Sequence, residues 1–245
     1  MRTIISGASS GIGAALAREL SRRGHALGLV ARRAEMLDAL VAELKTPAVA
    51  LPCDVTDSAA VREAVAKGEA ALGGPFDLAV ANAGVGVTFT AKHFNIDDAR
   101  RMVDVNVIGT MVLFDAVVPG MIERRGGHFA GVASLAGLRG LPTASVYSAT
   151  KAAMQAFLEA SRVELRRYGV AVTTINPGFV VSEMTDKNEF KMPFLMSAER
   201  AARIIADGLE RRARVIQFPM PMSLLMRLTR ALPNFVFDRV VGMRR

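Results

Sequence analysis

The stretch Thr3-Ile-Ile-Ser6-Gly7-Ala-Ser9-Ser10-Gly11-Ile12-Gly13, followed by the helical pattern Ala14–Arg23, decides the fold. A short apolar run of strand length meets a turn with three glycines and then a helix start. This order aims main-chain N–H groups and the positive end of a helix dipole at one point, which suits a pyrophosphate. Glycine lets the backbone approach such a group closely. Gly7, Ser9, Ser10, Gly11, Ile12 and Gly13 are therefore candidate binding residues. The alternative is an ordinary strand-to-helix turn.

Outward from this unit the pattern repeats. Apolar runs at Thr3–Ser6, Ala26–Ala31, Ala48–Leu51, Leu78–Ala81, His128–Ala133, Val170–Ile175 and Val215–Phe218 alternate with longer stretches of helical period. Continuous apolar strands joined by crossover-length segments fit a parallel sheet buried on both faces. The expectation is an α/β fold: a doubly wound, mostly parallel, seven-stranded Rossmann-like sheet in one domain, residues 1–245. Residues 179–197 and 220–245 look less regular.

The composition narrows the function. With 245 residues, 51% hydrophobic and 22% charged, the chain can bury a large core. Cys53 is the only cysteine, so no intrachain disulfide and no thiolate cluster can form. His25, His93 and His128 are scattered away from acidic partners, so no metal site is expected. No His and acid complete a hydrolytic triad around Ser9 or Ser10. The start MRTI runs at once into the glycine loop, and no window of about 18 residues is apolar and uncharged. A cytoplasmic protein without a membrane-spanning helix is expected. A net charge of +8 favours acidic partners in general and chooses none of them; nucleic acid is not expected among them.

The second strand ends Leu29-Val30-Ala31-Arg32-Arg33, where dinucleotide folds that bind NAD carry a carboxylate for the ribose hydroxyl. Two guanidinium groups instead offer charge-assisted bonds to a 2′-phosphate, so NADP(H) is favoured over NAD(H). The alternative is that Arg32 and Arg33 only solvate the start of the helix Ala34–Leu44.

From Ser6 to about Gly178 the chain resembles the short-chain dehydrogenase/reductase family. Ser6-Gly7-Ala8-Ser9-Ser10-Gly11-Ile12-Gly13 is similar to the family's glycine loop, with Ser6 where threonine is commoner. Asp54-Val55 resembles the step whose aspartate meets the adenine amino group, and Asn82-Ala83-Gly84 the turn after the fourth strand. Asn106, Ser134 and Tyr147-x-x-x-Lys151 match the catalytic set. Pro177-Gly178, with Val180 beyond it, looks like the turn beside the nicotinamide. The resemblance implies hydride transfer between nicotinamide and a carbonyl/alcohol pair. It implies as well a water bridged from Asn106 toward Lys151, and a homodimer or homotetramer paired through helices beginning near Asp98 and Tyr147. The alternative for Asn106 is a buried residue that only ties the backbone.

The Tyr-Lys spacing also has its own physical reason. Residues four apart share a helix face, so the Lys151 ammonium can lie beside the Tyr147 phenol and is expected to lower its pKa from roughly 10. Tyr147 then serves as general acid for carbonyl reduction or base for the reverse. Ser134, at a strand end, is expected to polarise the substrate oxygen; the alternative is a strand-end serine that caps a local turn. A different class of reading is a dinucleotide-binding regulatory or structural protein in which turnover is incidental.

Phe179, Met184, Phe190, Met192, Phe194, Leu195 and Met196 give residues 179–197 an apolar, methionine-rich character. By resemblance this is the substrate lid, and it suits a lipophilic substrate; the alternative is core packing. Residues 220–245 read as two amphipathic helices broken at Pro233, with Arg227, Arg230, Arg239, Arg244 and Arg245 beside an apolar face. Such a tail can rest weakly on an anionic membrane surface, at the inner membrane in a cytoplasmic protein, cover a neighbouring subunit or line the pocket mouth.

Overall fold

The computed structural model describes residues 1–186 and 192–242. Seven strands, β1 (Arg2–Ser6), β2 (Ala26–Ala31), β3 (Ala48–Pro52), β4 (Leu78–Ala81), β5 (Gly127–Val132), β6 (Val170–Pro177) and β7 (Val215–Phe218), form one sheet in the order β3-β2-β1-β4-β5-β6-β7. Every pair is parallel. The expected doubly wound α/β sheet is therefore the fold.

The sheet is apolar on both faces because its strands alternate between two cores. Ile5, Leu27, Leu29, Leu78 and Val80 face α1 (Gly11–Arg22), α2 (Ala34–Glu43) and α7 (Ala198–Glu210). Ile4, Val30, Ala79 and Ala81 face α3 (Ser58–Ala71), α5 (Gly109–Glu123) and α6 (Ser145–Leu165). Winding reverses between β1 and β4, and the carboxyl ends of these neighbours open the crevice where such sheets bind ligands.

The helix expected to begin near Asp98 is more complex. It starts as α4 (Ile96–Val103), capped by Asn95, whose side chain accepts from the N–H groups of Asp97 and Asp98. It then makes a π-helical turn at Asp104–Ile108 and continues as α5 through Pro119. Residues 96–123 are together long and apolar enough to cross a membrane by length and composition, although Asp115 interrupts the apolar run. Met102, Leu113, Val117, Val118 and Met121 are buried within the domain, so this is a core helix of the sheet.

Beyond β7 the chain forms α8 (Met220–Ala231) and α9 (Asn234–Gly242). Met222 and Met226 of α8 pack against Leu135, Leu138, Leu141 and Phe179, beside the carboxyl ends of β5 and β6. Phe190 of the apolar 179–197 segment, together with Arg244 and Arg245 of the tail, lies outside the described residues.

Candidate active site

The crevice is closed at its base by contacts between the turns after β1 and β4. Gly7 has φ +66°, and a Cβ there would stand 2.7 Å from the Cα of Ala83. A Cβ on Gly13 would collide with the Gly7 carbonyl oxygen. Asn82 donates through Nδ2 to the carbonyls of Ser6 and Gly7, both at 3.0 Å. The Ser6 hydroxyl accepts from the N–H groups of Asn82 at 3.1 Å and Ala83 at 3.2 Å. One hydroxyl at position 6 thus joins the two turns, which explains why serine suffices there. The first N–H groups of α1 have no partner within the helix, and Ser10 before them makes no side-chain cap, so they face the crevice as donors.

Arg32 and Arg33 diverge at the end of β2. The Arg33 guanidinium folds over the glycine loop: Nη2 donates to the hydroxyls of Ser9 at 3.0 Å and Ser10 at 2.9 Å, and Nη1 meets Glu183 at 2.9 Å. Arg32 is 62% exposed in its side chain and stands 3.9 Å from Asp54. With Arg100 and Arg101, the carboxylates Asp54, Asp97 and Asp104, and Thr56 and Val105, it lines an open cavity of about 330 Å³. The backbone N–H of Thr56 holds the Asp54 carboxyl below the usual carboxylate range, with the Thr56 hydroxyl and Arg32 contributing. Val55, the next residue, is buried where a Cβ on Gly109 would touch it.

At the opposite end Asn106 sits inside the π-helical turn and is fully buried. Its Oδ1 accepts from the Val85 N–H at 2.8 Å, while Nδ2 donates to the Val85 carbonyl and to the Thr150 hydroxyl, each at 3.0 Å. Gly84 lies in between: a Cβ there would be 3.3 Å from Asn106 Oδ1 and 3.4 Å from Lys151 Nζ. Asn106 and Lys151 are therefore neighbours across a glycine, and the side chain of Asn106 does tie the backbone.

Tyr147 and Lys151 lie one turn apart on α6, with Nζ 5.7 Å from the phenol ring centre. Lys151 is 3% exposed and donates to the Val132 carbonyl at 2.8 Å. Among the described residues no carboxylate accompanies it, and burial pushes its pKa down to about 7. Burial also pushes the Tyr147 phenol up, opposed by a hydrogen bond with the Ser134 side chain. The lowering of the phenol expected from Lys151 is not what the chain alone produces, because a buried amine titrating near neutrality exerts little field. Ser134 is fixed by its bonds to the Ala136 N–H at 3.1 Å and the Pro177 carbonyl at 3.4 Å. The Gly178 N–H bonds the Phe218 carbonyl at 2.7 Å, and Val180 pairs with Met196.

Four residues were missed in the sequence. Gln155 donates to the Ser134 carbonyl at 2.8 Å and to Asn176 at 2.9 Å, so it holds the end of β5 to β6. Its place one turn after Lys151 was the only available signal. Arg101 joins the Arg32 cavity, and Ser182 and Glu183 approach the glycine loop from the segment after β6; nothing local in sequence announces these contacts. Among the described residues there is no group of three or more His, Cys, Asp or Glu able to hold a metal.

The family model described as short chain dehydrogenase matches residues 2–192. A Myxococcus xanthus protein described as an uncharacterized oxidoreductase is 43% identical over 238 residues, covering 96% of this chain and 94% of the relative. A short-chain dehydrogenase from Sphingobium yanoikuyae, solved in complex with NADPH, superposes with TM-score 0.81 at 26% identity, covering 96% of this chain and 97% of that one. A 3-oxoacyl-acyl-carrier-protein reductase from Brucella melitensis with bound NAD superposes with TM-score 0.77 at 29% identity, covering 88% and 87%.

Proposed function

The chain belongs to the short-chain dehydrogenase family of oxidoreductases, and from that premise we propose that it is an NADP(H)-dependent reductase of lipophilic carbonyl compounds with Tyr147 as general acid. The residues fit a dinucleotide: Gly7 and Gly13, where a Cβ would strike Ala83 or the Gly7 carbonyl, let the turns after β1 and β4 close on each other beneath the N-terminus of α1, whose first N–H groups suit a pyrophosphate. Gly7, Ser9, Ser10, Gly11, Ile12 and Gly13 would hold the pyrophosphate, and Arg32 and Arg33 a 2′-phosphate. Asp54 and Val55 would meet the adenine. Asn82, Ala83, Gly84, Pro177, Gly178 and Val180 would line the nicotinamide side, with Tyr147 and Lys151 on its ribose. The cofactor supplies the hydride for carbonyl reduction and accepts it in the reverse direction.

The observation that carries this reading is the cluster of half-buried Tyr147 with buried Ser134, Lys151 and Asn106. Tyr147 keeps its proton at neutral pH because burial raises the phenol, which is the state needed to protonate a carbonyl oxygen as it gains charge. Ser134, pinned at the end of β5, donates to the same oxygen. Lys151, with Asn106 across Gly84, would return a proton toward the phenol through a water bridged from Asn106.

A lipophilic substrate is supported by the apolar wall of Leu135, Leu138, Phe179, Met222 and Met226 beside Ser134. Met184 adds to it, since a Cβ on Gly86 would lie between the methionine sulfur and the Tyr147 ring. The outward side of the tail is apolar too, with Leu228 59% and Phe235 77% exposed beside Arg230 and Arg239, which suits an anionic membrane surface. Deleting residues 220–245 should then abolish sedimentation with anionic vesicles; full-length protein that ignores vesicles assigns this side to a subunit interface. Val103, Ile108 and Val163 expose apolar side chains on α4, the π-helical turn and α6, as pairing of these helices in a homo-oligomer requires, and light scattering measures it.

The reading is tested by following NADPH oxidation against aldehydes, ketones, quinones and 3-oxoacyl compounds. Turnover with the longer-chain members is expected. Tight NADPH binding with no turnover on any would instead favour a dinucleotide-binding regulatory protein.

A further inference from the structure

The segment after β6 lies across the glycine loop. The place where a Gly11 Cβ would project is 3.1 Å from the Cβ of Ser182. The next residue, Glu183, sets its carboxylate oxygens 2.9 and 3.0 Å from Nη1 of Arg33, a partner 150 positions away in sequence. The same guanidinium donates through Nε and Nη2 to Ser9 and through Nη2 to Ser10. Every nitrogen of Arg33 is thus engaged. The two hydroxyls are neutral and can turn to accommodate an anion beside them. The carboxylate cannot: it holds a guanidinium N–H and repels a second negative group.

We propose that Glu183 is a specificity-determining residue that occupies Arg33 as an internal counterpart of the adenosine 2′-phosphate. A cofactor bearing that phosphate must displace Glu183, whereas one with a free ribose hydroxyl need not. This rests on the reading of Arg33 as a phosphate partner. Glu183 then holds the preference for NADP(H) below what the arginines alone would give. Arg33 and Glu183 are 45% and 56% exposed, so the penalty is a few-fold in affinity.

The backbone around Glu183 is fixed without its carboxylate. The Ser182 N–H donates to the Thr185 hydroxyl at 2.8 Å, that hydroxyl donates to the Val180 carbonyl at 3.0 Å, and the Thr185 N–H donates to the Ser182 carbonyl at 2.9 Å. Glu183→Gln therefore removes a charge and leaves the turn in place.

The test is calorimetric binding of NADPH and of NADH to the full chain, to Glu183→Gln and to Arg33→Ala. Glu183→Gln should tighten NADPH about threefold and leave NADH unchanged, while Arg33→Ala should weaken NADPH about tenfold more than NADH. A Glu183→Gln variant that shifts both cofactors equally, or neither, while Arg33→Ala remains selective, overturns the role of Glu183 alone. An Arg33→Ala variant with an unchanged NADPH:NADH ratio overturns the phosphate reading of Arg33 itself, and with it this proposal.

Discussion

Asn106 and Lys151 lie buried under one end of the crevice, each bonded to main-chain atoms, whereas Arg32 and Arg33 stand at the other end in contact with water. The first pair is positioned by the fold before any ligand arrives: Val85, Val132 and Thr150 fix their polar atoms, and nothing nearby can relax without losing a buried hydrogen bond. The second pair is held more loosely, since Arg33 divides its bonds among two hydroxyls and a carboxylate and Arg32 only approaches Asp54. The contrast teaches that the reacting end is set by burial and the adenosine end by exposed charge. Changes at the first should cost kilocalories, and changes at the second should tune a ratio.

The sharpest way to break this contrast is Tyr147→Phe, which removes the transferable proton and keeps the ring. Turnover should fall roughly a thousandfold, about 4 kcal/mol in barrier, with NADPH affinity by equilibrium titration close to wild type. Retention of more than about a tenth of the rate would place the acid elsewhere and leave the buried cluster as scaffolding.

Lys151 sharpens the same point through stability. In the folded chain its amine titrates at about 7, while an unfolded lysine keeps its proton to about 10.4. Between these values the unfolded state binds more protons, so stability rises with pH and is lowest at and below neutrality. The window from about pH 7 to about pH 8.5 isolates this group. His128 has its folded pKa at about 4, and its window closes below 7; the Cys53 thiol, pushed up by burial to about 11, has its window higher. Denaturant unfolding of the cofactor-free chain should gain roughly 1.5 kcal/mol across that window, and Lys151→Met should abolish the gain while also abolishing turnover. Equal slopes for both proteins would mean that Lys151 stays charged in the fold.

How far the sequence reveals the molecule follows the same divide. The seven strands are readable because each is a continuous apolar run between turn residues, as in Leu78–Ala81 and Val215–Phe218. The pair Tyr147 and Lys151 is readable because helical period alone places them side by side. The π-helical turn around Asn106 is not: one extra residue per turn leaves no trace in apolar periodicity. Nor is Gln155, which acts through a strand end that only the sheet brings to it. Glu183 on Arg33 is a contact between distant loops, with no local pattern to carry it. The divergence of two adjacent arginines is likewise set by what surrounds the end of β2, and the doublet reads the same whichever of them meets the phosphate.

The smallest expected effect belongs to that doublet. Arg32→Asp exchanges a phosphate partner for a carboxylate able to accept from a ribose hydroxyl, and it adds repulsion toward a 2′-phosphate. Arg32 is exposed, and Arg100 and Arg101 share its cavity with Asp54, Asp97 and Asp104, so one more carboxylate among these charges has a bounded effect. The ratio of kcat/KM for NADPH over NADH should drop about tenfold, about 1.4 kcal/mol, with the better of the two rates little altered. An unchanged ratio would show that Arg32 only solvates the start of α2 and that Arg33 reads the phosphate alone. A drop of a thousandfold or more would put the exposed end on the same energetic footing as the buried one, and the distinction between them would not hold.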